Sequence, residues 1–205
     1  MKRIGLLDYG IGNVKSIQNA LIKEGAKPVL SRDEKEILSC DALILPGVGA
    51  FGKGMENLNE MSLTELIQAF VASGKPFLGI CLGMQMLFEE SEEFGAHKGL
   101  GLIEGKVKKI ETDLRLPHIG WSAIYRESQA WDSSILSNIN EGDKVYFVHT
   151  YAGNPSDSKN ELAHCLYGGK KICAAVRKDN VFGTQFHPEK SGNIGLRIMN
   201  NFINQ

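Results

Sequence analysis

The chain has 205 residues, 42% of them hydrophobic and 23% charged, with a formal net charge of −1. That length supports one large α/β domain with a full core, and the balanced charge offers no basic surface for nucleic acid. No apolar run approaches the length that spans a bilayer, and the opening Arg3–Leu7 is too short and wrongly flanked for a signal peptide.

In chain order, Ile4–Leu7 reads as a strand, and Val14, Ile17 and Leu21 follow at helical spacing. Ala42–Leu45 is a second buried strand, closed by Pro46-Gly47. Leu63, Leu66, Ile67, Phe70 and Val71 then make an apolar helical stripe, with Ser62 and Glu65 in capping-box positions. Phe77–Ile80 is a third strand, and a helix is expected over Leu82–Phe88. Strand–helix alternation of this kind implies a parallel sheet covered on both faces.

Strands are then expected near Gly105–Ile110, Ser122–Tyr125, Lys144–Val148, Leu162–Leu166, Ile172–Arg177 and Val181–Gln185. Few helices separate them, so antiparallel hairpins extend the sheet. The group Lys106, Lys108 and Lys109 reads as one solvated strand face. A final helix carries Leu196, Met199, Phe202 and Ile203 on one side. The fold class is α/β: a central, mostly parallel sheet with helices on both faces and antiparallel extension strands. No repeat or linker divides the chain, so one domain is expected over 1–205.

Cys40, Cys81, Cys165 and Cys173 show neither C-x-x-C spacing nor disulfide-scaffold density, which suits reduced thiols in a cytoplasmic protein. No Cys/His cluster or H-E-x-x-H motif appears, and we expect no metal and no cofactor. Among the four thiols Cys81 stands apart. Gly79-Ile80-Cys81-Leu82-Gly83 lies between a strand and a helix, the nucleophile-elbow pattern with Cys in place of Ser. The helix N-terminus behind it favours a thiolate.

A cysteine nucleophile needs a base and an orienting group. His187 and Glu189, two residues apart in Gln185-Phe186-His187-Pro188-Glu189-Lys190, lie on one side of an extended segment that Pro188 stiffens. Leu45 to Gly52 follows a buried strand, and its glycines let backbone N–H groups face an oxyanion at the sheet edge where Cys81 emerges.

Two glycine-rich segments imitate nucleotide loops and fail. Gly47 to Lys53 fits G-x-x-x-x-G-K but continues with Gly54, and Gly10-Ile-Gly12 is followed by Lys15 where a dinucleotide fingerprint has its last glycine. Glu89, Glu90, Glu92 and Glu93 fall at the end of the expected helix after Cys81, where acids oppose the dipole. Three of them read as solvated. His97 and His164 read as surface or packing residues. His118 and His149 have unusual surroundings, Pro117-His118-Ile119-Gly120-Trp121 and Phe147-Val148-His149-Thr150-Tyr151.

Together these motifs resemble the class I (triad-type) glutamine amidotransferases, from end to end of the chain. Asp8-Tyr9-Gly10-Ile11-Gly12-Asn13 and Pro117–Trp121 narrow the resemblance to the glutaminase subunits of histidine biosynthesis. The resemblance implies that Cys81 attacks L-glutamine, His187 shuttles the proton and Glu189 orients His187. It implies an oxyanion hole from Gly47, Val48, Gly49 and Leu82, and a glutamine pocket from Gly49, Gln85, Glu93, His149, Thr150 and Tyr151. Glu93 would be the counter-charge to the α-ammonium. Thr150 stands where many relatives have Ser and keeps the hydroxyl.

The resemblance also implies a heterodimer with a (βα)8-barrel cyclase that receives ammonia through its interior, with Asn13, Trp121 and Lys190 on the face toward it. Two rival readings share the fold. One is a paralogous subunit supplying ammonia for surface-polysaccharide sugars; the other is a non-enzymatic regulatory subunit. A peptidase on the same elbow would need an open groove.

Overall fold

A computed structural model describes residues 1–127 and 130–205. The first part of the chain runs β1 (Arg3–Leu7), α1 (Val14–Lys23), β2 (Lys27–Ser31), α2 (Glu34–Leu38), β3 (Ala42–Leu45), α3 (Phe51–Glu60), α4 (Leu63–Ala72), β4 (Phe77–Ile80) and α5 (Leu82–Gln85). Next come the strands β5 (Phe88–Ser91), β6 (His97–Lys98), β7 (Ile103–Lys109), β8 (His118–Arg126), β9 (Lys144–His149) and β10 (Tyr151–Pro155). The chain closes with β11 (Glu161–Tyr167), β12 (Lys170–Lys178), β13 (Val181–Thr184) and α6 (Gly192–Ile203).

Nine strands form the main sheet in the order β2-β1-β3-β4-β13-β12-β11-β8-β9. β2 to β13 along this order are parallel, and from β12 outward each pairing is antiparallel. The expected architecture is therefore observed, with β13 as the strand where parallel gives way to antiparallel. Alternate residues of the central strands feed two cores. Ile4, Leu6, Ile44, Leu78 and Ile80 pack under α1 and α6 on one face, while Leu7, Leu43, Leu45 and Phe77 pack under α3 and α4 on the other. This two-sided burial is why these strands are apolar without alternation.

A second sheet, in the order β10-β7-β5-β6, lies against the α3 side and is the main feature the sequence reading lacked. It also corrects the helix expected over Leu82–Phe88. α5 ends at Gln85, and Phe88 begins a strand that pairs parallel with β7. Phe88 packs where Gly153 has no side chain, so tertiary contact overrides local helical preference. Glu89 and Glu90 are thus strand residues; Glu89 accepts from the Gly105 N–H and Glu90 pairs with Lys106.

Two further expectations are corrected. Ser62 makes no capping hydrogen bond, because only Met61 and Ser62 join α3 to α4 and Ser62 is forced to φ +53°. Glu65 instead accepts from the Thr64 hydroxyl. The three lysines do not share a face: Lys106 and Lys108 do, but Lys109 breaks the alternation of β7. Among the described residues no helix is long and apolar enough to cross a membrane.

Candidate active site

Cys81 sits at the carboxyl end of β4, directly before α5, with φ +54° and ψ −109°. A side-chain-bearing residue rarely adopts this backbone, and the surroundings over-determine it. A Cβ on Gly79 would come within 2.5 Å of the Gly83 carbonyl oxygen, and one on Gly83 would overlap the Leu45 carbonyl oxygen. The Cys81 N–H donates to the Thr184 carbonyl at 2.7 Å, tying the elbow to β13. The small residues are therefore a packing requirement that presents the thiol at the sheet edge.

β13 continues into His187, whose N–H bonds the Tyr146 carbonyl and whose carbonyl accepts from the Ser191 hydroxyl. Pro188–Lys190 form a single 3-10 turn, not the extended segment expected, and His187 is its extended N-cap. The turn still brings the pair together: His187 Nδ1 lies 2.9 Å from Glu189 Oε1, and the Glu189 side chain is 1% exposed. A carboxylate oxygen accepts, so Nδ1 carries the proton and Nε2, which has no hydrogen-bond partner, is left for the thiol. Burial disfavours the imidazolium, but the nearby Cys81 sulfur and the Glu189 carboxylate favour it more strongly and raise the His187 pKa to about 9.

A cavity of about 270 Å³ opens over the thiol, lined among others by Val48, Gly49, Leu82, Gln85, Glu93 and Tyr151. Cys81, His187, His149 and Thr150 complete most of its wall. This volume suits an amino acid better than a polymer segment. Gly47 lies beneath it, packed against the Gly83 nitrogen and Leu82 Cβ. Gly49 has φ +99° with open space on its Cβ side. The Leu82 N–H belongs to the first turn of α5, where no intrahelical acceptor exists. Tyr9, fully buried, donates to the Pro46 carbonyl at 2.6 Å and buttresses this loop.

Glu93 reverses the expectation of acids at a helix C-terminus. Its Oε2 accepts from the Phe51 N–H at 2.6 Å, the first residue of α3. It therefore complements a helix dipole rather than opposing one. Gln85 Nε2 donates to the Tyr151 carbonyl at 2.9 Å and to Gln185 Oε1 at 3.0 Å. Gln185 Nε2 in turn lies 3.8 Å from Cys81 Sγ. Gln185 has no role in the sequence reading; a polar amide two residues before His187, directly after a buried strand, was the available signal.

His149 lines the cavity, but both its nitrogens are engaged, Nδ1 with the Tyr151 carbonyl at 2.8 Å and Nε2 with His118 Nδ1 at 3.1 Å. Burial lowers its pKa to about 4, aided by the charges of His118 and His187 and only partly opposed by the Tyr151 bond. It is a neutral structural part of the wall.

The glycines of the two imitation nucleotide loops serve packing. Gly52 admits the His97 ring and Gly54 admits the Met86 sulfur, while Gly12 packs on Pro46. Cys40, Cys165 and Cys173 are buried in the cores, as expected of packing thiols. Among the described residues one group, Glu127, Glu161 and His164, brings potential metal-ligand atoms within 4.8 Å of one another. The Lys171 ammonium already bridges its carboxylates, at 2.7 Å from Glu127 and 3.2 Å from Glu161.

Asn13, Trp121 and Lys190 lie on elements that meet around the 3-10 turn after His187. Asn13 immediately precedes α1 without a side-chain capping bond, α1 packs on the turn holding Lys190, and the Trp121 ring reaches to 3.8 Å from the Cβ direction of Gly192. Trp121 is 53% exposed and Ile119 beside it 58%, a local apolar surface.

Known proteins share the fold and sequence of this chain. The glutamine amidotransferase class-I family matches residues 5–205, and the chain belongs to that family. Among its relatives, imidazole glycerol phosphate synthase subunit HisH 1 of Legionella pneumophila (strain Lens) is 45% identical, with 99% of each chain covered. Subunit HisH of Lactococcus lactis subsp. lactis is 47% identical over 100% of both chains, and that of Aquifex aeolicus 44% identical over 98% of this chain and 95% of its own. Among solved structures, PurLQS from Thermotoga maritima aligns with TM-score 0.75 at 21% identity, covering 100% of this chain and 99% of the other. A structure described as a glutamine amidotransferase aligns with TM-score 0.75 at 19% identity, covering 98% and 99%. Both support the fold.

Proposed function

We propose that this chain is the glutaminase subunit of imidazole glycerol phosphate synthase, one amidotransferase domain over 1–205 acting in the cytoplasm. The observation that carries the reading is Cys81 at a strained elbow beside an imidazole whose far nitrogen is bonded to a buried carboxylate. The near-full-length likeness to subunits of that name supplies the pathway.

In the proposed reaction Cys81 Sγ attacks the side-chain carbonyl carbon of L-glutamine while His187 holds its proton on Nε2. The oxyanion forms opposite backbone N–H groups of Gly47, Val48, Gly49 and Leu82, a stabilisation worth about 3 kcal/mol per donor. His187 then gives the proton to the departing nitrogen, ammonia leaves and a γ-glutamyl thioester remains. Water, deprotonated by His187, attacks the thioester and releases glutamate. Glu189 keeps the imidazole in one tautomer throughout.

Glu93 Oε1, the oxygen not spent on α3, faces the α-ammonium, and Gln85, Thr150 and Tyr151 complete the pocket, with His149 behind them. Asn13, Trp121 and Lys190 lie on the face toward a (βα)8-barrel cyclase, which takes the ammonia inside. Free ammonia would be wasted without that partner, so slow turnover of the isolated chain and faster turnover on docking are expected.

The test is glutamate release by the purified chain with and without the cyclase, alongside Cys81→Ala, and rescue of a histidine-requiring strain lacking the subunit. Activity surviving Cys81→Ala sinks the chemistry; failed rescue by an active chain redirects the ammonia to another acceptor. Equal rates with and without the cyclase defeat the gating.

A further inference from the structure

His118 takes no part in the chemistry above, yet it is 2% exposed and fully engaged. Its ring stacks between Phe147, with centroids 4.9 Å apart, and Tyr167, at 4.1 Å. Its Nε2 lies 2.8 Å from Ser122 Oγ, and its Nδ1 faces His149. The proton positions follow from the partners. The Tyr151 carbonyl only accepts, so His149 carries its proton on Nδ1. Neutral His149 then has an accepting Nε2, and His118 must donate to it from Nδ1. Ser122 supplies the remaining donor. The same Tyr151 carbonyl holds Gln85, which holds Gln185 beside the Cys81 sulfur. An unbroken hydrogen-bonded run therefore starts on β8, next to exposed Trp121, and ends at the thiol.

We propose that His118 is a positioning residue of the glutamine pocket: its Nδ1–H holds the His149 ring in the orientation and tautomer that fix the Tyr151 carbonyl and, through it, Gln85. The proposal rests on reading the cavity as the glutamine site. Because Ser122 adjoins Trp121, a partner pressing on that face would act on the pocket through the same run. Contiguity alone does not establish such coupling, so the variant must separate the hydrogen bond from the packing.

His118→Phe keeps a flat ring between Phe147 and Tyr167 but loses the donor; His118→Asn loses the ring and keeps a donor at the Nδ1 position. Each is made in the full-length Cys81→Ala chain, and glutamine binding is measured by calorimetry. A long-range proton–nitrogen spectrum reads the His149 tautomer in parallel. His118→Phe is expected to weaken glutamine roughly tenfold, the effect of one lost hydrogen bond, and to add an Nε2-protonated form of His149. His118→Asn is expected to recover most of both.

Unchanged affinity in the Phe variant, or an Asn variant worse than Phe, overturns the proposal in favour of plain packing. A parent chain with the His149 proton on Nε2 overturns it outright. If the parent binds no glutamine, the functional reading fails, and the spectrum still decides this one. An Nδ1 proton whose uniqueness depends on the His118 donor upholds it, and indifference to that donor overturns it.

Discussion

Cys81 and His149 line the same cavity but are held there by different forces. Around Cys81 the fixing agent is excluded volume: Gly79 and Gly83 leave no room for a Cβ, and the backbone is pressed to φ +54°. Around His149 it is hydrogen bonding among buried groups, His118 on one nitrogen and the Tyr151 carbonyl on the other. The electrostatics diverge too. His187, beside the elbow, is raised to about 9 by Cys81 and Glu189 against the effect of burial, while His149, with no carboxylate partner, is lowered to about 4 by burial and by the charges of His118 and His187. Sterics fix one side abruptly, and hydrogen bonds fix the other by degrees and in a pH-dependent way.

Gly83→Ala attacks the steric side hardest. Its methyl would meet a main-chain carbonyl that cannot give way, so a loss of about 4 kcal/mol or more is expected, read as a lowered urea midpoint or no folded protein. A variant with wild-type stability would remove the distinction altogether.

The hydrogen-bonded side is tested by pH. The folded pKa of His149 lies below its model-peptide value of 6.5, so the folded state binds fewer protons between them. Its contribution is complete above about pH 6.5 and is lost as pH falls toward 4, on the order of 3 kcal/mol in all. His187 has the opposite sign: its contribution is complete below about 6.5 and is lost as pH rises through about 9. Urea titrations across pH, comparing wild type with His149→Asn, should show the acid-side slope flatten in the variant. An identical slope would mean the His149 wall does not titrate as described.

Smaller effects sharpen the picture. Glu93→Gln keeps an acceptor for the Phe51 N–H but removes the charge, so KM for glutamine should rise roughly tenfold with kcat nearly unchanged. A fall in kcat instead would place Glu93 with the elbow. Gly49→Ala meets no atom and suffers only from φ +99°, so a loss of about 1–2 kcal/mol is expected by denaturation, well short of Gly83→Ala.

The same division explains what the sequence disclosed. The elbow was legible because steric demands write glycines at fixed spacing around Cys81, and the His187/Glu189 pair was legible because it is local. Central strands were legible to the residue at Ala42–Leu45 and Phe77–Ile80, since burial on both faces leaves an unbroken apolar run. The second sheet was not. β5 has acids at Glu89 and Glu90, both satisfied by partners on β7, and no local pattern records those partners. Gln185 escaped for the same reason, and His118 stood out by its neighbours without a role, since their contacts lie more than thirty residues distant along the chain. Glu93 was assigned to the pocket by resemblance, and it lines the cavity; its place at the start of α3 depends on the fold.

The Tyr151 carbonyl has one further consequence. It receives hydrogen bonds from His149 and from Gln85 and has no hydrogen of its own to pass on. Beyond it stand two primary amides, Gln85 and Gln185, which are equally poor at exchanging protons in the time of a catalytic cycle. The carbonyl thus acts as an insulator between two imidazoles lining the same small cavity. Position is transmitted across it and protons are not, which leaves acid–base traffic at the sulfur to His187 and lets the opposite wall change its geometry without leaking charge into the reaction.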